Sequence, residues 1–136
     1  MTQSELIRAS FEAIVPRAEE LIETFYNRLF ETAPGVRSLF PDDIRKQRTK
    51  LLQIIGLVVE SAECLDEIEE PFRTMGELHI EYGARAEHYP DFRDVMLATL
   101  GEFAGDAWTP ATESAWRWAL DTVSGKMIAA GERVAA

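Results

Sequence analysis

Apolar residues recur every three or four positions along almost the whole chain, and no stretch alternates apolar with polar residues as a half-buried strand does. This spacing places side chains on one side of an α-helix. The apolar sets are Leu6, Phe11, Ile14 and Val15; Leu21, Ile22, Phe25, Leu29 and Phe30; Leu51, Ile54, Ile55, Val58 and Val59; Phe92, Val95, Met96, Leu100 and Phe103; and Trp116, Leu120, Val123 and Met127. The pattern predicts an all-α fold with six or more helices of unequal length.

Short polar motifs predict where several helices begin. "TQSE" (2–5) matches a capping box at the start of the first helix. Pro16 is expected to begin the second helix, because proline is tolerated in a first helical turn. Thr109 followed by Pro110 predicts an N-cap and the first residue of the last helix.

The run "LLQIIGLVV" (51–59) can be interpreted as a buried strand or as part of a helix. The lack of alternation and the flanking "RKQRTK", which contains no turn residue, favour a third helix from about Ile44 to Glu60. Pro71 is expected to begin or kink a fourth helix, and Gly83 is expected to end it.

The composition limits the class of protein. With 136 residues and 46% apolar content, the chain is expected to form a single domain, 1–136. The net charge of −10 disfavours nucleic acid and anionic membrane surfaces as partners. Cys64 is the only cysteine, which excludes an internal disulfide and fits a reducing compartment. No signal peptide or membrane span is recognised, so a cytoplasmic protein is expected.

Three polar side chains lie on otherwise apolar helix faces, and these are Tyr26, Gln47 and His79. His79 follows Phe72 and Met75 and precedes Tyr82 at spacings of four and three residues. A buried polar group without a partner costs about 1–3 kcal/mol, so these residues either satisfy one another or surround a ligand. Each alone has a structural explanation, as a core tyrosine, a solvated glutamine near a helix start and a satisfied histidine. His88, in the motif "HYPDF", is expected at the surface.

No familiar metal or nucleophile motif accompanies His79. The sequence contains no HExxH, no CxxC and no glycine-flanked nucleophile elbow. A single imidazole is a poor site for a bare ion. It suffices as the axial ligand of haem iron, because the porphyrin supplies the four equatorial nitrogens.

The sequence resembles the bacterial single-domain globins that are related to the haem domain of flavohaemoglobins. The resemblance rests on "FYNRLF" (25–30), Pro34, "LF" ending at Phe40, "QR" (47–48) with Leu51, and "HIEYGARAEHYP" (79–90). It implies a globin fold of six to eight helices around a haem pocket, with haem b as the cofactor.

The resemblance also implies a role for each matching residue. His79 would be the proximal ligand of the haem iron. Tyr26 and Gln47 would be the distal pair that donates hydrogen bonds to O₂. The remaining contacts to the cofactor would come from Phe40 packed on the porphyrin, Leu51 as a distal wall and Tyr89 as a proximal partner.

These roles predict high-affinity, reversible O₂ binding for transport or scavenging. The chain ends soon after its sixth helix, so conversion of nitric oxide to nitrate would need a separate reductase. Related chains place a glutamate beside the proximal histidine from the last helix, where this chain has Gly131 followed by Glu132. If Glu132 cannot reach His79, ligand binding is favoured over peroxidase-like chemistry. The alternative is a haem-free globin fold that serves as a sensory or protein-interaction module.

Overall fold

The computed structural model describes residues 1–135, which form six α-helices and contain no strand. The helices are α1 (Gln3–Ile14), α2 (Ala18–Thr32), α3 (Arg45–Glu60), α4 (Phe72–Glu81), α5 (His88–Ala104) and α6 (Pro110–Ala135). Short 3₁₀ turns occupy Val15–Arg17, Pro34–Leu39, Leu65–Glu67 and Gly105–Ala107. The prediction of an all-α fold is confirmed. Among these helices, none combines the length and the hydropathy that a membrane crossing needs.

Two predicted helix starts are confirmed by their capping hydrogen bonds. The Glu5 backbone N–H donates to Thr2 Oγ1 over 3.2 Å at the start of α1. The Thr112 N–H donates to Thr109 Oγ1 over 3.1 Å at the start of α6. Each side-chain oxygen satisfies a backbone donor that the first helical turn leaves free.

The junction of α1 and α2 differs from the prediction. Pro16 lies within the 3₁₀ turn Val15–Arg17, and α2 begins only at Ala18. Arg17 leaves the helical region with φ −123° and ψ 21°, which separates the turn from the helix. As a result Val15 is 54% exposed rather than buried with Ile14, so its assignment to the buried face was wrong.

The run "LLQIIGLVV" is helical, as predicted, and belongs to α3. Ile55 and Val58 are buried, while Leu51, Ile54 and Val59 are half-buried. The residue before α4 is Pro71, which fits the prediction that it begins this helix. Gly83, two residues after the end of α4, has φ +91°, a conformation that favours glycine.

Large side chains from all parts of the chain fill the core, and they include Phe25, Phe72, Met96, Leu100 and Trp116. The Trp116 indole N–H donates to Ser10 Oγ over 2.8 Å, which joins α6 to α1 inside the core. Ser10 Oγ also lies 2.8 Å from the Leu6 carbonyl oxygen, so both buried polar groups are satisfied. Ser10 and Ile7 are fully buried members of α1 that the apolar pattern did not identify.

Helices α4 and α6 approach each other through glycines. A Cβ atom added at Gly131 would lie 2.7 Å from Ile80 Cγ1 and 3.3 Å from the Gly76 carbonyl oxygen. Gly76 in turn lies against the backbone of Met127. The absence of side chains at these two positions sets how closely α4 lies against α6, and His79 is carried on α4.

Candidate functional site

His79 lies near the end of α4 and is half-buried. Its Nδ1 is 2.6 Å from the Met75 carbonyl oxygen, one helical turn earlier. A carbonyl oxygen can only accept, so this contact places the imidazole proton on Nδ1 and leaves a lone pair on Nε2. Burial lowers the pKa of His79, with the Met75 contact opposing it. The imidazole therefore presents an unprotonated nitrogen, the form that binds a metal.

Two neighbouring residues differ from their predicted environments. Tyr82 is 55% exposed and does not share the inward face of Phe72 and Met75. Helix α4 ends at Glu81, so the helical spacing no longer applies at Tyr82 and that assignment was wrong. His88 is half-buried rather than at the open surface, and it begins α5. Its Nδ1 accepts from the Arg85 backbone N–H over 3.0 Å.

Tyr26 is buried on α2, with 6% of its surface exposed. Its ring contacts Phe25, Phe30 and Phe40, whose centroids lie 5.2, 5.9 and 5.7 Å from its own. Burial raises the pKa of the Tyr26 phenol to about 12, and the positive charge of Arg48 opposes that rise. At neutral pH the phenol therefore keeps its proton and can act as a hydrogen-bond donor.

Phe40 follows the 3₁₀ turn Pro34–Leu39 in the connection from α2 to α3, and Arg37 holds that connection in place. The Arg37 guanidinium donates to the carbonyl oxygens of Phe40, Pro41 and Asp42 over 3.4, 3.0 and 3.1 Å. It also lies 4.9 Å from the centroid of the Phe30 ring. The Phe30 and Phe40 rings are 5.3 Å apart, edge to face. The backbone at Phe40 is thus fixed by one side chain, next to Tyr26.

Gln47 and Leu51 lie one turn apart on α3, and both are half-buried. The Gln47 Oε1 atom is buried and has no hydrogen-bond partner among residues 1–135. Turning the amide over would place its N–H₂ group at that position, because the two ends have nearly the same shape. Ordinary protein cores pair such buried atoms, so the Gln47 Oε1 position is open to a ligand.

The structure also places the residues expected behind His79. Tyr89 is half-buried in the first turn of α5, and burial raises its pKa. His79 Nδ1 is bonded to the Met75 carbonyl rather than to Tyr89. Gly131 is buried under Ile80, and Glu132 is exposed. The last helix therefore presents glycine, not a carboxylate, to α4.

The connection that contains Phe40 approaches the chain just after α4 at one point. A Cβ atom at Gly83, after α4, would lie 3.2 Å from Leu39 Cδ2, which precedes Phe40. The aromatic cluster of Tyr26, Phe30 and Phe40 is thus connected to the end of the helix that carries His79. The contact links the two segments without a shared helix.

Sequence reasoning gave no structural role to four residues that shape this region: Arg37, Arg48, Gly76 and Gly131. The two glycines carried a usable signal, because glycine inside a helix disfavours that helix unless close packing requires it. Arg48 was part of the motif "QR" but received no role. Nothing local to Arg37 indicated that it would bind three carbonyl groups in succession.

The sequence pattern of the family described as Globin matches residues 23–127. The flavohemoprotein of Bacillus subtilis is 24% identical over 127 residues, which cover 91% of this chain and 32% of that protein. The anaerobic nitrite reductase HBII of Casuarina glauca is 27% identical over 143 residues, covering 94% and 87% of the two chains. This chain thus spans less than two thirds of the Bacillus protein and most of the Casuarina protein.

A solved structure extends the similarity to three dimensions. An engineered carbene transferase from Rhodothermus marinus superposes with a TM-score of 0.86. It is 26% identical, with 99% of this chain and 95% of that chain covered. Because the family pattern matches most of the sequence and the helices superpose along nearly its whole length, this chain belongs to the globin family.

Proposed function

We propose that residues 1–136 form one cytoplasmic globin domain that binds haem b through His79 Nε2 and binds O₂ reversibly with high affinity. Members of the globin family bind haem and small gaseous ligands such as O₂. The observation that carries the proposal is the 2.6 Å contact from His79 Nδ1 to the Met75 carbonyl oxygen. It fixes the ring orientation and leaves Nε2 free for an axial bond.

The residues proposed for the haem site fit a flat apolar cofactor with a polar ligand on one side. Phe40 and Leu51 offer half-buried apolar surface, and the Gln47 Oε1 atom is buried without a partner among residues 1–135. When bound, haem would supply an iron that can bind O₂ and increase the negative charge on it. In this proposal Phe40 packs on the porphyrin, Leu51 forms a wall on the O₂ side, and Tyr89 lies on the His79 side.

Tyr26 and Gln47 would stabilise that charge. The Tyr26 phenol retains its proton at neutral pH, and the Gln47 amide can present an N–H group. Hydrogen bonds to charged groups contribute about 1.5–3 kcal/mol, and burial of Tyr26 keeps competing water away. Carbon monoxide receives less charge than O₂, so the same donors would favour O₂. Slow release of O₂ is the expected result.

The environment behind His79 favours ligand binding over peroxidase-like reactions. The Nδ1 proton is donated to a neutral carbonyl oxygen, and Glu132 is exposed. A carboxylate acceptor would give the imidazole more anionic character, so the carbonyl gives it less. The proximal side would therefore push less electron density toward the iron than a carboxylate-bound histidine.

Conversion of nitric oxide to nitrate is the catalytic activity that fits tight O₂ binding. One NO, one O₂ and one electron give one nitrate ion, and a separate reductase would supply the electron. The Rhodothermus marinus neighbour is described as a candidate nitric oxide dioxygenase, which supports this choice over oxygen delivery. The Bacillus subtilis relative is a flavohemoprotein about three times as long as the matched segment.

Haem reconstitution of the purified protein tests the proposal. We expect an intense Soret band and a stable oxygenated form after reduction. NO consumption by that form should be stoichiometric alone and catalytic with an added flavin-dependent reductase. A protein that folds but stays colourless would instead favour the haem-free sensory or protein-interaction module.

A further inference from the structure

Two consecutive residues of α3 leave buried polar atoms unpaired. Gln47 Oε1 and Arg48 Nε are both buried, and neither has a hydrogen-bond partner among residues 1–135. The distal role proposed for Gln47 accounts for the first atom. Arg48 Nε carries an N–H donor on a group that stays charged, and burying such a donor without an acceptor is unfavourable. The Arg48 Nε–H therefore has room for a hydrogen-bond acceptor that residues 1–135 do not supply.

The positive charge of Arg48 affects the pKa values of two neighbouring groups. Its charge acts on the pKa of the buried Tyr26 phenol and on that of the exposed Asp43 carboxyl group. Arg48 itself is half-buried on α3, directly after Gln47, and its Nε atom is buried. Its positive charge opposes the rise that burial causes in the Tyr26 pKa.

Asp43 forms no hydrogen bond with Arg48, and Arg45 binds both of its oxygens. Arg45 Nε is 3.0 and 3.1 Å from the two Asp43 oxygens, and Arg45 Nη2 is 2.6 Å from Oδ2. Hydrogen bonds from Arg45 lower the pKa of Asp43 to about 2. The Asp43 carboxylate is therefore held by Arg45, and the buried Arg48 Nε–H keeps no partner among residues 1–135.

A guanidinium with a free Nε–H has a defined chemical preference. Its Nε–H and one Nη–H form a planar fork that matches two oxygens of a planar oxyanion. The chain as a whole carries a net charge of −10 and repels small anions, so a local cation is needed to concentrate them. The Gln47 amide, on the preceding residue, can add a further donor.

We propose that Arg48, assisted by Gln47, forms a binding subsite for the planar nitrogen oxyanions nitrite and nitrate beside Tyr26. The inference rests on the proposed function, since nitrate is the product of NO dioxygenation and nitrite is the related oxyanion that could bind the same haem. Arg48 would hold the anion near the O₂ site by charge-assisted hydrogen bonds, and it would take no part in proton transfer.

Optical titration of the ferric haem protein with sodium nitrite tests the subsite. Arg48→Gln should weaken nitrite binding about tenfold, the equivalent of about 1.4 kcal/mol. The affinity for imidazole, a neutral ligand of the same iron, should stay within about twofold, since loss of a cation affects anions selectively. The nitrite affinity of Arg48→Lys should lie between those of the wild-type protein and Arg48→Gln. The lysine ammonium keeps the positive charge but cannot form the planar pair of hydrogen bonds. Lys46→Gln is the matched control, since it removes one charge from an exposed residue of the same helix.

Two outcomes would overturn the inference while the proposed function stands. One is an equal loss of nitrite and imidazole affinity in Arg48→Gln, which indicates general damage to the pocket. The other is unchanged nitrite affinity with faster haem loss, which would mean that the guanidinium pairs with a carboxylate of the cofactor.

A second measurement needs no haem. Nitrate should raise the midpoint of thermal unfolding of the wild-type protein more than chloride does, and this difference should disappear in Arg48→Gln. An equal response of the two proteins would contradict the subsite. A protein without a Soret band that still shows this difference would contradict the haem proposal and retain the anion site.

Discussion

Gly76 of α4 lies directly against Met127 of α6, so closely that a Cβ atom at Gly76 would be 2.2 Å from the Met127 carbonyl oxygen. The atoms it would meet are backbone atoms, which cannot rotate away as a side chain can. His79 follows Gly76 by three residues on the same helix. The distance between these helices therefore also sets the position of the imidazole.

Gly76→Ala should move α4 away from α6 and destabilise the fold. Overpacking of this kind costs about 1–3 kcal/mol, measured as the free energy of unfolding in urea. Gly125→Ala, on α6 with open space around its Cα, is the matched control. It should be neutral or stabilising by up to about 1 kcal/mol, because alanine favours helix over glycine. Equal effects of the two substitutions would show that the close approach at Gly76 does not matter.

His79→Ala should abolish stable haem retention, since no other side chain is proposed to bind the iron axially. Haem content after gel filtration and the Soret spectrum measure the loss. His88→Ala provides the control, because His88 is half-buried at the start of α5 and bonded to the Arg85 N–H. Retention of a full spectrum by His79→Ala would show that another residue is the ligand.

Tyr26→Phe should accelerate O₂ dissociation by about tenfold or more, because each 1.4 kcal/mol of lost stabilisation is a factor of ten. Stopped-flow mixing of the oxygenated protein with carbon monoxide measures the rate. Tyr82→Phe removes a hydroxyl from a tyrosine that is 55% exposed and should leave the rate unchanged. If Tyr26→Phe behaves like Tyr82→Phe, the Tyr26 hydroxyl does not reach the ligand.

Tyr26 should also make the stability of the fold sensitive to alkaline pH. Burial raises its pKa from 10.0 to about 12, so the unfolded chain loses this proton before the folded protein does. The contribution of Tyr26 to stability is therefore fully present below about pH 10 and declines by roughly 2 kcal/mol as the pH approaches about 12. In Tyr26→Phe this decline should be absent, as urea unfolding at several pH values would reveal. Parallel curves for both proteins would contradict the burial of the phenol.

Glu132→Gln should not change the electronic environment of His79, because Glu132 is exposed and Nδ1 is bonded to the Met75 carbonyl. The iron–histidine stretching frequency in the resonance Raman spectrum of the reduced protein is the direct measurement. A downward shift in the variant would show that the Glu132 carboxylate reaches the imidazole in the haem-loaded protein. Glu113→Gln, an exposed residue at the start of α6, controls for the loss of one negative charge.

The elements that sequence predicted well are those governed by local rules. Thr2 and Thr109 cap their helices through their own backbone neighbourhood, and α3 forms a helix because its apolar residues have helical spacing. The predictions that Tyr82 and Val15 face the interior were wrong for one shared reason. Their spacing was extrapolated beyond the end of a helix, where side chains no longer follow the period of 3.6 residues.

The features that sequence could not predict depend on partners distant in the chain. The close approach of Gly76 to Met127, and of Gly131 to Ile80, joins segments about fifty residues apart. The positions of Tyr26, Gln47 and His79 on apolar faces were visible in the sequence. Which hydrogen bonds these side chains form, or leave unformed, could be seen only in the folded structure.

Three consecutive carbonyl groups, from Phe40 to Asp42, converge on the single guanidinium of Arg37. A segment without regular secondary structure is thereby rigid before any cofactor arrives. The entropy of ordering it is lost when the chain folds, and none remains to be lost when the cofactor enters. Porphyrin uptake would then meet a preformed wall at Phe40.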